Sequence, residues 1–144
     1  MTFDVSCEPD SLSIVLSSTM ECIDRVDTIV KNMMHDKGLA IHSFAVRVVM
    51  REGLTNSVRH GHKHDPDKLI RFNLKISGSI LTMIIEDQGE GFDWRAIMGK
   101  DRIDSRNESP TDHGRGFFIM DDYFDTCDFN EKGNILILGK NISS

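Results

Sequence analysis

Two β-rich runs, LIRFNLKI from Leu69 and SILTMIIED from Ser79, meet across Ser77-Gly78. A turn this short joins only neighbouring antiparallel strands, so the middle of the chain is predicted to be a hairpin. Everything else must be arranged around it. Ahead of it, residues 2–7 and 11–17 (SLSIVLS) read as two short strands around Pro9-Asp10. Ser18 is then predicted to open a helix, with Glu21 completing a capping box. Met20, Ile23, Val26, Val30, Met33 and Met34 recur at three and four and predict a buried stripe. Gly38 stands where a left-handed cap ends such a helix. A second helix is predicted over 41–59, with apolar Phe44, Val48 and Met50 to Leu54.

After the hairpin, residues 93–113 lose periodicity and fill with charge, Ser, Pro and Asp, which predicts a long lid-like loop with a helical turn near Trp94. A short helix from Gly116 carries Phe117, Phe118, Met120 and Phe124. Two last strands, TCDFN and NILILGK, are joined through Lys132-Gly133. Grouped strands and grouped helices predict an α+β two-layer sandwich, with a mixed, largely antiparallel sheet covered on one face by helices. With 144 residues, 39% of them hydrophobic, the chain is long enough for one domain, 1–144, with a core that needs no disulfide or structural metal.

The net charge of −6, with no lysine or arginine block, argues against a direct nucleic-acid surface. Cys7, Cys22 and Cys127 are odd in number and form no CxxC pair, which favours a reduced, cytoplasmic setting. The start, MTFDVSCEPD, is acidic where a secretory signal needs a basic head, and no stretch is long enough to span a bilayer.

Three stretches carry chemistry. In REGLTNSVRHGHKHDP, Glu52 and Asn56 lie four apart and share a helix face. A carboxylate can take a proton and a carboxamide oxygen can ligate a hard cation, although two solvated polar residues give the same pattern. In EDQGEGFD, Asp87 ends a strand, where a carboxylate can accept from an exocyclic amine; Gly89 and Gly91 permit close backbone approach, and a plain turn fits as well. In DHGRGFF, Gly114 and Gly116 stand at the mouth of a helix, a ready anion site to which Arg115 adds charge; a hinge with an exposed arginine is the alternative. His60, His62 and His64 invite a zinc reading, but Gly61 interrupts them and no fourth ligand is evident, so HKHD is predicted to be a polar turn.

The three stretches occur together and in order, and in that combination the chain resembles the GHKL ATPase superfamily. REGLTNSVRHG looks like its N-box, EDQGEGF its first glycine box and GRGFF its second, and the resemblance runs on to KGNILILGK. Within the superfamily, the NSVRHG…DP continuation and the GRGFFIMDDYFD helix look most like the anti-sigma-factor serine kinases. The resemblance implies a Bergerat-type fold that binds ATP and Mg²⁺. It implies Glu52 as general base, Asn56 as Mg²⁺ ligand and Asp87 as acceptor of the adenine amino group. Gly91 would let the base lie against the backbone, and Gly114, Arg115 and Gly116 would meet the phosphates. Gly89, Phe92 and Phe117 join this nucleotide set, and His60 would give a supporting hydrogen bond. Where many relatives carry threonine near the start of the last strand, this chain has Asn134, which can still donate and accept.

The implied activity is that of a serine/threonine protein kinase that phosphorylates a small antagonist protein and holds a regulatory partner such as a sigma factor. The alternative is a nucleotide-binding, partner-switching module with little or no kinase activity. A homodimer is expected, with the first helix and the opening strand pair as the surfaces for a partner or second copy.

Overall fold

The computed structural model describes residues 1–90 and 120–143. In chain order its elements are β1 (Phe3–Glu8), β2 (Ser11–Ser17), α1 (Met20–Asp36), α2 (Ala40–Asn56), β3 (Leu69–Ser77), β4 (Ile80–Glu86), β5 (Thr126–Phe129) and β6 (Ile135–Asn141). The strands form one sheet in the order β1-β2-β3-β4-β6-β5. Among the described residues every pairing is antiparallel, in keeping with the largely antiparallel sheet that was expected. The connections account for this. Short turns fold β1 onto β2, β3 onto β4 and β5 onto β6. The paired helices run out and back, returning the chain to the end of β2, where Ser17 faces Leu69 of β3.

Alternation along the strands sends one side chain in two under the helices. Leu12, Ile14 and Leu16 of β2, Ile70, Phe72 and Leu74 of β3, and Leu81, Met83 and Ile85 of β4 are buried there. They meet Ile23, Val26, Val30 and Met34 of α1, and Val46, Val49, Met50 and Leu54 of α2. Of the stripe predicted for α1, Ile23, Val26, Val30 and Met34 are buried, Met33 is partly buried against the core, and Met20, the first residue of the helix, is exposed. Phe44 is exposed as well; its ring meets Tyr123 edge-on, with centroids 5.8 Å apart.

The start of α1 differs from the expected capping box. Thr19, not Ser18, is the N-cap, and its hydroxyl accepts from the Cys22 N–H at 3.2 Å. Ser18 is unavailable because it is buried: its N–H donates to the Lys68 carbonyl, and its hydroxyl faces His62. At the other end, Gly38 takes φ +72°. The Gly38 and Leu39 N–H groups donate to the His35 and Met34 carbonyls, a closed Schellman cap.

Two contacts fix the helix pair. Arg47 of α2 grips Asp27 of α1 through two bonds, at 2.7 and 3.1 Å, and holds its carboxyl below the usual carboxylate range. Arg51 adds a bond to Asp24 at 2.9 Å. Beneath them, Gly53 brings α2 down onto the sheet. A Cβ there would stand 2.5 Å from Ile85 Cδ1 and 3.3 Å from Leu136 Cδ2.

Gly53→Ala is expected to change stability by less than about 1 kcal/mol, because its gain in helix propensity offsets a small shift of flexible side-chain ends. Gly53→Leu is expected to cost roughly 1–3 kcal/mol by overpacking. Urea unfolding of both variants checks this, and an unaltered midpoint for Gly53→Leu would contradict the close approach.

Candidate functional site

The site is built where the end of α2 meets the end of β4. Glu52 and Asn56 flank the sheet-facing Gly53, one helical turn apart, and both are half-buried. The helix was expected to continue to 59. Instead, regular α structure ends at Asn56, and Ser57–Gly61 form a π turn closed by the His62 N–H on the Ser57 carbonyl at 2.8 Å. This wider turn stacks residues four and five apart, which brings Ser57, Gly61 and His62 onto one side. All three meet the segment that leaves β4.

That segment is Asp87, Gln88 and Gly89. The Ser57 hydroxyl hydrogen-bonds the Asp87 carboxylate. A Cβ on Gly61 would stand 2.6 Å from Asp87 Oδ2, so the carboxylate lies directly against the Gly61 backbone. Gly61 was expected to end the helix; it also makes room for Asp87. Gly89 folds back so that its N–H donates to Asp87 Oδ1 at 2.8 Å, and a Cβ on Gly89 would strike the Gly61 carbonyl oxygen.

Asparagines hold Asp87 from the other side. Its N–H donates to the Asn134 carbonyl at 2.9 Å, and the Asn134 side-chain amide donates to the Asp87 carbonyl at 3.0 Å. Asn134 is in turn set by Asn130, whose amide donates to Asn134 Oδ1 at 2.7 Å. Asn130 Oδ1 accepts from the N–H groups of Gly133, Asn134 and Ile135. Asn134 is thus bonded to the backbone that presents the carboxylate.

His62 departs from the polar turn predicted for HKHD. Lys63 and His64 are exposed, with φ of 51° and 64°, but His62 is 4% exposed. Its Nε2 accepts from the Gln88 N–H at 2.7 Å, and its Nδ1 lies 2.9 Å from the Ser18 hydroxyl. His60 sits half-buried within the π turn. Gly91, Phe92, Gly114, Arg115, Gly116 and Phe117 lie outside the described residues, as do the lid and the turn near Trp94. Among the described residues no group of three or more His, Cys, Asp or Glu could hold a metal ion, and no helix is long and apolar enough to cross a membrane.

Sequence reasoning missed Ser57, His62 and Asn130. The signal for Asn130 was local: an asparagine three residues before the turn glycine can cap the turn's N–H groups. Ser57 and His62 gave none, since their roles exist only once β4 packs beside the π turn.

Burial raises the Asp87 carboxyl above its usual range; the Gly89 N–H, His62, the Ser57 hydroxyl and Lys132 pull it back only in part. A carboxyl raised on folding adds stability while protonated, and that contribution is lost as pH rises through its folded value. Asp87→Asn keeps an acceptor oxygen for the Gly89 N–H and has no charge to bury. The unfolding free energy of the unmodified protein, relative to Asp87→Asn, is therefore expected to fall as pH rises above the usual carboxylate value of about 4. Urea titrations from that value upward check it, and the opposite slope would contradict the cited cause.

A family model described as the histidine kinase-like ATPase domain matches residues 16–140. Among curated relatives, an anti-sigma F factor of Clostridium beijerinckii is 31% identical over 90 residues, 62% of each chain. The anti-sigma F factor of Anoxybacillus flavithermus is 25% identical over 89 residues, covering 62% of this chain and 60% of the relative. That of Geobacillus thermodenitrificans is 26% identical over 103 residues, 68% of each chain. The chain thus spans less than two thirds of the first two of these relatives. The matched segment contains the α2 pair, the Asp87 turn and all but the last residue of β6, and agrees with the motif resemblance: the chain belongs to the histidine kinase-like ATPase domain family.

Proposed function

We propose that this chain is an ATP-dependent serine/threonine protein kinase of the anti-sigma-factor type, acting on a small antagonist protein and holding a sigma factor as its regulated partner. One observation carries the nucleotide part. Asp87 is a carboxylate whose burial opposes its ionisation, seated against two glycine backbones and fixed from both sides. Such a group gains from a ligand that brings a further N–H donor, and an exocyclic adenine amine is one. The partner class rests on the relatives named anti-sigma F factor.

Asn56 fits a Mg²⁺ role by its chemistry: a hard carboxamide oxygen, half-buried on the last α turn beside Glu52. Bound ATP supplies the γ-phosphoryl group and the metal supplies charge neutralisation. Glu52 takes the proton of the substrate serine hydroxyl as its oxygen bonds to phosphorus and the bond to ADP breaks. A helix-borne pair suits this task, since base and ligand must keep a fixed separation during transfer. At positions outside the described residues, the proposal gives Gly91, Phe92 and Phe117 contacts to the nucleotide, and Gly114, Arg115 and Gly116 the phosphates. A cytoplasmic homodimer is the working form.

The test is incubation with ATP-Mg²⁺ and candidate antagonist proteins, with phosphoserine read by mass spectrometry. Glu52→Ala is expected to slow transfer roughly 10²–10⁴-fold while ATP affinity stays nearly constant. Loss of binding and transfer together would remove the base role. Nucleotide and partner binding by the unmodified protein without phosphoserine would establish a partner-switching module instead.

A further inference from the structure

The motif resemblance gives no role to the imidazole of His62, yet the fold buries it between two parts of the chain that are distant in sequence. On one side is Ser18, at the junction of β2 and α1, its backbone anchored to Lys68. On the other is the Gln88 N–H, between Asp87 and Gly89. Gln88 is held a second time, because its side-chain oxygen accepts from the Leu69 N–H at 2.9 Å. An acceptor at Nε2 requires that nitrogen to be bare, so the neutral ring carries its proton on Nδ1 and donates it to the Ser18 hydroxyl.

We propose that His62 is a positioning residue for nucleotide binding: the neutral imidazole pins the Gln88 amide to the β2–α1 junction, so that the Asp87–Gly89 turn is pre-formed before the base arrives. The inference rests on the adenine-nucleotide reading of that turn. Pre-forming a site removes an ordering cost that would otherwise weaken binding. The clamp works in one protonation state, since a protonated ring would set a second donor against the Gln88 N–H. The groups facing His62 are Asp87 from the end of β4, and Asp65 and Lys68 from the segment leading into β3; the neighbouring Lys63 and His64 are exposed. Burial outweighs the two carboxylates, with Lys68 in support, and keeps the imidazole below its usual range and therefore neutral near pH 7.

The test uses the full chain, with ADP-Mg²⁺ as probe in calorimetry and amide exchange at Gln88 as a readout independent of ligand. His62→Phe keeps the ring's bulk and removes the acceptor; it is expected to bind ADP-Mg²⁺ about tenfold more weakly and to lose protection at Gln88. His62→Gln, whose amide oxygen reaches the place of Nε2, is expected to restore affinity to within about threefold. Acidification from about pH 7.5 to about pH 5.5 is expected to weaken binding more in the unmodified protein than in His62→Gln, which shares every titration except that of residue 62. Affinity and Gln88 protection unchanged in His62→Phe would overturn the inference and leave the nucleotide reading standing. The same acid sensitivity in His62→Gln would also overturn it. An unmodified protein that takes up no ADP-Mg²⁺ would overturn the nucleotide reading, and the inference with it. Should His62→Phe fail to fold, the His62→Gln comparison decides the matter.

Discussion

A carboxylate that leaves water needs donors arranged around it, and the architecture of this protein is organised about one such group. Asp87 emerges from β4 against the backbone of Gly61, takes the Gly89 N–H and the Ser57 hydroxyl, and has its own peptide groups tied to Asn134. These partners come from the π turn, the strand exit and the start of β6, so no single segment could hold the residue alone. The incomplete compensation leaves its charge uncomfortable, and a ligand donor can make up that deficit.

The helix pair has a complementary task. Glu52 and Asn56 are useful only if α2 keeps its height and rotation over the sheet. Gly53 sets the height by direct contact with Ile85 and Leu136, and the Asp27–Arg47 pair locks α2 to α1 on the opposite side. Ile85 stands two residues before Asp87 on β4. The acid–amide pair and the strand-end carboxylate are thus referenced to the same piece of backbone, which fits a reaction that depends chiefly on positioning.

Periodicity made the scaffold legible. The β3–β4 turn at Gly78, the stripe of α1 and the cap at Gly38 are local patterns, and the fold realises each of them. Glu52, Asn56 and Asp87 stood out only jointly, through the family resemblance that their stretches carry together; each stretch alone also fitted a plain helix face or turn. What could not be read was whatever the tertiary neighbours decide. Ser18 lost the N-cap to Thr19 because His62 claims its hydroxyl. His62 itself, in a run rich in charge and imidazole, resembles surface until β4 is packed beside it. Asn134, read as a nucleotide contact, has its side chain engaged with Asp87 and Asn130, a partnership spanning 47 residues of chain in the first case. The π turn has no compositional signature; two of its residues, Ser57 and Gly61, face the Asp87 carboxylate, and His62, which follows it, bonds the Gln88 N–H.

The most direct test of this account is the carboxyl titration of Asp87, followed by ¹³C NMR in the free protein and with saturating ADP-Mg²⁺. The account expects a midpoint above the usual carboxylate range in the free protein, moving down when nucleotide supplies its donor. A midpoint that stays in place or rises on nucleotide binding would show that the base does not engage this carboxylate, and would contradict the central claim.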